Sequence, residues 1–113
     1  GGMPVCAAAG AATMKLIEDE DLVTRAETLG KSVMQTLRDA MLGCVNEIRG
    51  LGLMIGMQLE ESTSAREIMM TCLDRGLIVC IAKNNVLRLA PPLTVEEDVL
   101  QRGLDILIDV LKK

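Results

Sequence analysis

The chain has 113 residues, half of them hydrophobic and a quarter charged, which fits one compact domain rather than two or a disordered tail. Its net charge of −4, with no Lys/Arg cluster, excludes the basic stripe that nucleic-acid binding requires, and no apolar run approaches the roughly twenty residues of a bilayer span. Phe, Tyr and Trp are absent, so Leu, Ile, Val, Ala and eight Met must fill a thin core.

In chain order, Pro4 suits the first turn of a helix, and the Ala-rich run Cys6 to Thr13 followed by Met14, Leu16 and Ile17 continues it. The acidic knot Glu18-Asp19-Glu20-Asp21 breaks that helix and places negative charge at the start of the next. There Leu22, Ala26, Leu29, Val33 and Leu37 recur at spacings of three and four, on one face, with Arg25, Glu27, Lys31 and Gln35 pointing elsewhere and an end near Gly43. From Val45 the period becomes two. Val45, Glu47 and Arg49, then Leu53, Ile55, Met57 and Leu59, predict two strands joined through Gly50-Leu51-Gly52.

Ser64 with Glu67 forms a capping box, and a helix runs from it to Gly76. Leu77 to Ile81 and Val86 to Leu89 predict a hairpin around Lys83-Asn84-Asn85, stopped by Pro91-Pro92. Thr94 with Glu97 predicts a second capping box opening a last helix, whose Leu100, Leu104, Leu107 and Leu111 make a stripe. The expected fold is α+β, a small antiparallel sheet with helices packed on one face. Its other face is expected to stay partly apolar through Met54, Ile55, Met57, Val79 and Ile81, a contact surface that something else covers.

Little chemistry is visible in the residues themselves. Without His or Tyr no nucleophile and base pair can be assembled by spacing. Cys6, Cys44, Cys72 and Cys80 contain no C-x-x-C and read as small buried hydrophobes in a reducing compartment, so no metal site is expected. Gly50-Leu51-Gly52 followed by Gly56 does not open a helix and so is no phosphate-binding turn. Arg88 is the one charge set inside an apolar strand just before Pro91-Pro92. Its planar fork could take a small carboxylate bidentately, or it could simply face solvent.

Three ordered segments resemble a known family. Gly1-Gly2-Met3-Pro4-Val5-Cys6-Ala7-Ala8-Ala9 is similar to its G-G-N-P-x-x-C-A-A. Glu47-Ile48-Arg49-Gly50-Leu51-Gly52-Leu53-Met54-Ile55-Gly56 is similar to V-R-G-x-G-L-M-I-G, and Val86-Leu87-Arg88-Leu89-Ala90-Pro91-Pro92-Leu93-Thr94 to V-I-R-F-A-P-P-L. The family is the class III pyridoxal-phosphate-dependent aminotransferases, in the wording of the acetylornithine branch.

The resemblance implies that residues 1–113 form the single C-terminal small domain of a fold-type I enzyme. Such an enzyme moves an amino group from N-acetylornithine, or a related ω-amino acid, to 2-oxoglutarate as a cytoplasmic homodimer in arginine biosynthesis. It implies that Arg88 binds the substrate carboxylate; Arg49 also matches a family position and is expected to have only a structural role. Pyridoxal phosphate, its lysine, the aspartate facing its ring nitrogen and the aromatic stacked on it belong to a large domain outside this sequence. Lys83 does not match that lysine, so neither cofactor nor catalysis is expected of these residues alone. Met3 replaces an asparagine that would cap the first helix, and Leu89 stands where Phe is common. Two other readings stay open: a free-standing α+β module that binds small ligands or regulates without catalysis, and a structural piece that dimerises through its apolar face.

Overall fold

The computed structural model describes residues 3–4 and 20–112. The helix expected over Cys6 to Ile17 lies outside them. Pro4 departs from the expectation of a helical first turn, because Met3–Pro4 (β1) is a two-residue strand. It pairs in parallel with Leu77–Ile78 (β4), in the register Met3 to Leu77 and Pro4 to Ile78.

The first described helix, α1, runs Glu20–Asp39, starting inside the acidic knot as expected. Ala26, Val33 and Leu37 are buried along one side, while Glu27, Lys31 and Gln35 are exposed. Two strands follow, β2 (Val45–Leu51) and β3 (Met54–Leu59), an antiparallel pair with an irregularity between Val45 and Glu47. Gly52 turns the chain between them with φ +57, a conformation that favours glycine. Gly30 of α1 faces that turn. A Cβ on it would lie 1.9 Å from the Gly52 carbonyl oxygen, so the helix seats against the turn only because no side chain intervenes.

Helix α2 (Ala65–Asp74) begins as predicted, the Ser64 hydroxyl accepting from the Glu67 amide at 3.2 Å, and Gly76 ends it with φ +91. The single strand expected over Leu77 to Ile81 is divided. Leu77–Ile78 pairs with β1, and Cys80–Ala82 (β5) forms a hairpin with Val86–Leu89 (β6). Sequence period alone could not show this division, because β4 takes its partner from the start of the chain.

The main sheet has the order β2-β3-β6-β5, antiparallel throughout. On its inner face Ile55, Met57, Leu59, Leu87 and Leu89 pack with the α1 stripe, with Cys72 of α2 and with the last helix, α3 (Glu97–Leu111). Leu100, Leu104, Leu107 and Leu111 of α3 are all buried, as the stripe predicts. The expectation for the open sheet face needs correction. Ile55, Met57 and Val79 are in the core, and only Met54 and Ile81 of that set are exposed. Neighbours such as Met54 and Ile55 point to opposite faces of a strand, so they cannot share a surface.

The start of α3 also departs from expectation. Thr94 is not its cap: the helix opens at Glu97, with Glu96 in the capping position and no side-chain hydrogen bond there. The segment before it is otherwise engaged. The Arg25 guanidinium donates to the Leu93 and Val95 carbonyls, and the Val95 amide donates to the Pro92 carbonyl, which holds residues 92–95 in a turn.

Candidate functional site

Alternation along β6 fixes where Arg88 stands. Leu87 and Leu89 are buried in the core, so Arg88 between them projects from the outer face, where it is exposed. Its cross-strand neighbours are Gly56 on β3 and Cys80 on β5, and Gly56 in turn pairs with Arg49 on β2. One row therefore crosses all four strands: Arg49, Gly56, Arg88, Cys80. Directly opposed residues share a face. Arg49, Ile81, Ala82, Lys83, Val86 and Arg88 line one open recess of about 800 Å³. Arg49, expected to be structural, is thus brought beside the one residue expected to bind substrate. Finding it needed the pairing register, which a strand pattern does not contain.

The hairpin that carries Lys83 is held more firmly than its sequence indicated. Asn84 and Asn85 both adopt positive φ, 67 and 62, which Asn tolerates better than most residues. The Asn85 side chain donates to the Glu60 carbonyl at 3.0 Å and the Thr63 carbonyl at 2.6 Å, and accepts from the Ala65 amide at 2.9 Å. Gln58 adds a hydrogen bond to the Asn84 carbonyl at 2.6 Å. The turn is thereby tied to the first turn of α2, where an amide would otherwise lack a partner. Behind Arg88, the Arg25 clamp fixes the segment that follows Pro91-Pro92. The only sequence signal for these roles was a turn-favouring residue type at Asn85; for Arg25 there was none.

The thiols do not add a nucleophile. Burial pushes Cys72 up to about 11, the nearby Arg75 charge offsetting only part of it, and burial also raises Cys44. Both are protonated at neutral pH. Cys44 is only half-buried, its thiol 3.3 Å from the Leu111 carbonyl, and Cys80 is in a disulfide, which corrects the expectation of four reduced, buried cysteines: of the described ones Cys72 alone fits it. Among the described residues no group of three or more His, Cys, Asp or Glu is placed to hold a metal. No described helix is long and apolar enough to cross a membrane.

What the arrangement can do is bind a small anion against two guanidinium forks and an ammonium on a rigid α+β scaffold. Known proteins give this scaffold a family. The class III aminotransferase profile matches residues 1–111, and the chain belongs to that family. An acetylornithine aminotransferase from Bifidobacterium longum is 42% identical over 96% of this chain, and a leucine/methionine racemase from Thermococcus litoralis is 37% identical over 92%. The chain spans about a quarter of their lengths, 25% and 26%.

The solved structure of an ornithine aminotransferase from Toxoplasma gondii, described with partial occupancy of PLP at its active site, superposes with a TM-score of 0.78. It covers 88% of this chain and 24% of its own, at 23% identity, a likeness of fold.

The described residues do not fit pyridoxal phosphate. No aromatic exists anywhere in the sequence to stack on its ring, and Lys83, the lysine beside the recess, is exposed on a hairpin turn flanked by other cations.

Proposed function

We propose that residues 1–113 are the C-terminal small domain of a pyridoxal-phosphate-dependent aminotransferase. Arg88 is its anchor for the substrate carboxylate. The observation that carries this reading is the placement of Arg88 on the exposed sheet face, over a recess it shares with Arg49 and Lys83, while its strand neighbours are locked in the core. A rigid strand is the right mount for such a group, because orientation of a bound acid depends on a fork that does not wander.

On this reading the whole protein moves an amino group from N-acetylornithine or a related ω-amino acid to 2-oxoglutarate, as a cytoplasmic homodimer in arginine biosynthesis. The acetylornithine aminotransferases among its relatives support that substrate class. The cofactor supplies the electron sink for carbanion chemistry and is held by a large domain outside this sequence. Residues 1–113 bind and orient the acid and perform no proton transfer. Isolated, they are inactive.

The test is Arg88→Ala in the full-length protein, assayed for transamination. We expect KM for carboxylate substrates to rise about a hundredfold, the cost of a lost charge-assisted pair, with a smaller change in kcat. Unchanged KM would remove Arg88 from substrate binding. A second reading, an α+β ligand-binding module without catalysis, is favoured by the lack of Asp, Glu or Cys among the described residues that line the recess; turnover by the full-length protein excludes it.

A further inference from the structure

One covalent bond lies beside Arg88 and has no part in anchoring an acid. Cys80 is in a disulfide, while Cys44 and Cys72 are free thiols that burial keeps protonated at neutral pH. The sequence has four cysteines, so Cys6 is the one that remains to complete the bond. The pairing register points to the same residue. β1 and β4 run parallel, Met3 beside Leu77 and Pro4 beside Ile78, and the same count carried two residues further sets position 6 level with position 80. Neighbouring strands lie about 4.8 Å apart, inside the span that a disulfide bridges.

Both ends of this bond fall on weakly held backbone. β1 is two residues long, and so short a ladder holds loosely, so a covalent tie decides whether that strand stays on β4. Cys80 opens β5, a three-residue strand at the edge of the main sheet, paired there with β6 alone among the described strands. Cys80 is half-buried, within reach of a small reductant approaching that edge.

Across the ladder Arg88 has two neighbours, Gly56 and Cys80, and Gly56 has no side chain. The side chain directly opposite the anchor is therefore the half-cystine, and a change at Cys80 reaches Arg88 first. A cytoplasmic enzyme is surrounded by reductants that keep thiols reduced, and a disulfide formed there is transient or redox-sensing rather than a permanent staple.

We infer that Cys6 and Cys80 form a redox-sensitive clasp. Oxidised, it fastens the start of the chain to the edge strand beside Arg88; reduced, it lets that edge loosen and weakens the hold on the carboxylate. Opening it is thiol–disulfide exchange with a dithiol reductant. One reductant thiolate attacks a sulfur of the bond and displaces the other as a thiolate, which takes up a proton, and the second reductant thiol then resolves the mixed disulfide. Two electrons and two protons pass to Cys6 and Cys80, and the reductant leaves as its own disulfide. The inference rests on the readings of Arg88 as carboxylate anchor and of the whole protein as cytoplasmic.

The experiment uses the full-length protein carrying this sequence, loaded with its cofactor and equilibrated with oxidised or with reduced dithiothreitol. Free thiols are alkylated, and trypsin, which places the four cysteines on separate peptides, prepares them for mass mapping. We expect the oxidised sample to show the peptide ending at Lys15 linked to residues 76–83, and the reduced sample to show each alkylated singly. Transamination by the two samples should differ in KM for the carboxylate substrate, about three- to tenfold higher when reduced, with kcat nearly unchanged. C6S should show the reduced KM in either sample, and C44S should respond as the unsubstituted protein does. Where C6S melts early, C80S is read in its place.

No linked peptide after oxidation, a bond that reduced dithiothreitol leaves closed in the folded protein, or one KM for both samples overturns the proposal. A KM that Arg88→Ala leaves unchanged overturns the anchor reading instead. The peptide map does not depend on Arg88, so the two failures are distinguishable.

Discussion

The two faces of the β2-β3-β6-β5 sheet are made from the same strands and do opposite work. Inward, Ile55, Met57, Leu87 and Leu89 are almost fully enclosed, and among the described residues no buried polar side chain joins them. Outward, at the next residue in each case, stand Gly56 and Arg88, with Arg49 in the same row. A step of one residue along β6 passes from fully buried leucine to an exposed arginine beside a recess that Arg49 and Lys83 also line. Stability and binding are thus separated by strand parity, and substitutions should separate in the same way.

The largest effect should come from the inner face. Leu87→Ala removes a fully buried side chain from the middle of the core, and we expect a loss of about 3 kcal/mol in urea unfolding. A loss below about 1 kcal/mol would mean that the inner face is less tightly closed than its burial indicates.

Asn85→Ala tests the seam between the faces. It removes three hydrogen bonds to residues 60, 63 and 65 and leaves a residue less suited to a φ of 62. About 2 kcal/mol should be lost, seen as a lower midpoint of thermal unfolding. Asn84→Ala, whose side chain has no such role among the described contacts, should cost less.

A comparable but pH-dependent effect comes from Cys72. Its folded-state value of about 11 lies above the ordinary 9.0, so the native chain holds the proton more tightly than the unfolded chain does. The stabilisation is complete below pH 9 and is lost as pH rises toward 11, amounting to on the order of 2 kcal/mol. Stability measured between those limits should fall more steeply for the natural sequence than for Cys72→Ala. Parallel curves would show that the thiol does not ionise on unfolding.

The smallest effect belongs to the outer face. Arg88→Ala, at an exposed position, should change stability by no more than about 1 kcal/mol, the usual ceiling for an exposed charged side chain and its contacts. A large stability loss there would break the separation of the faces and assign Arg88 a structural role.

Much of this architecture was legible in residue order, because local rules decide it. The α1 and α3 stripes, the Ser64 cap and the Gly52 turn each depend on neighbours within a few positions. The departures share a physical cause, which is a contact from far along the chain. Thr94 reads as a cap until Arg25 takes the carbonyls of Leu93 and Val95. Leu77 to Ile81 reads as one strand until β1 claims its first two residues.

The same division runs through the site. Arg88 stood out because its own strand is apolar. Arg49, in a strand that also holds Asn46 and Glu47, looked ordinary, and only the register through Gly56 makes the two a pair.

The Arg25 clamp has a bearing on how the molecule assembles. It joins residues 68 and 70 positions apart, whereas the β2–β3 and β5–β6 hairpins join near neighbours. Closing a long loop costs more chain entropy than closing a short one, which puts the hairpins early in folding and the clamp late. A chain emerging and collapsing in this order acquires both halves of its cationic row before the stretch behind Arg88 is pinned. The recess therefore takes its final shape only at the last closure.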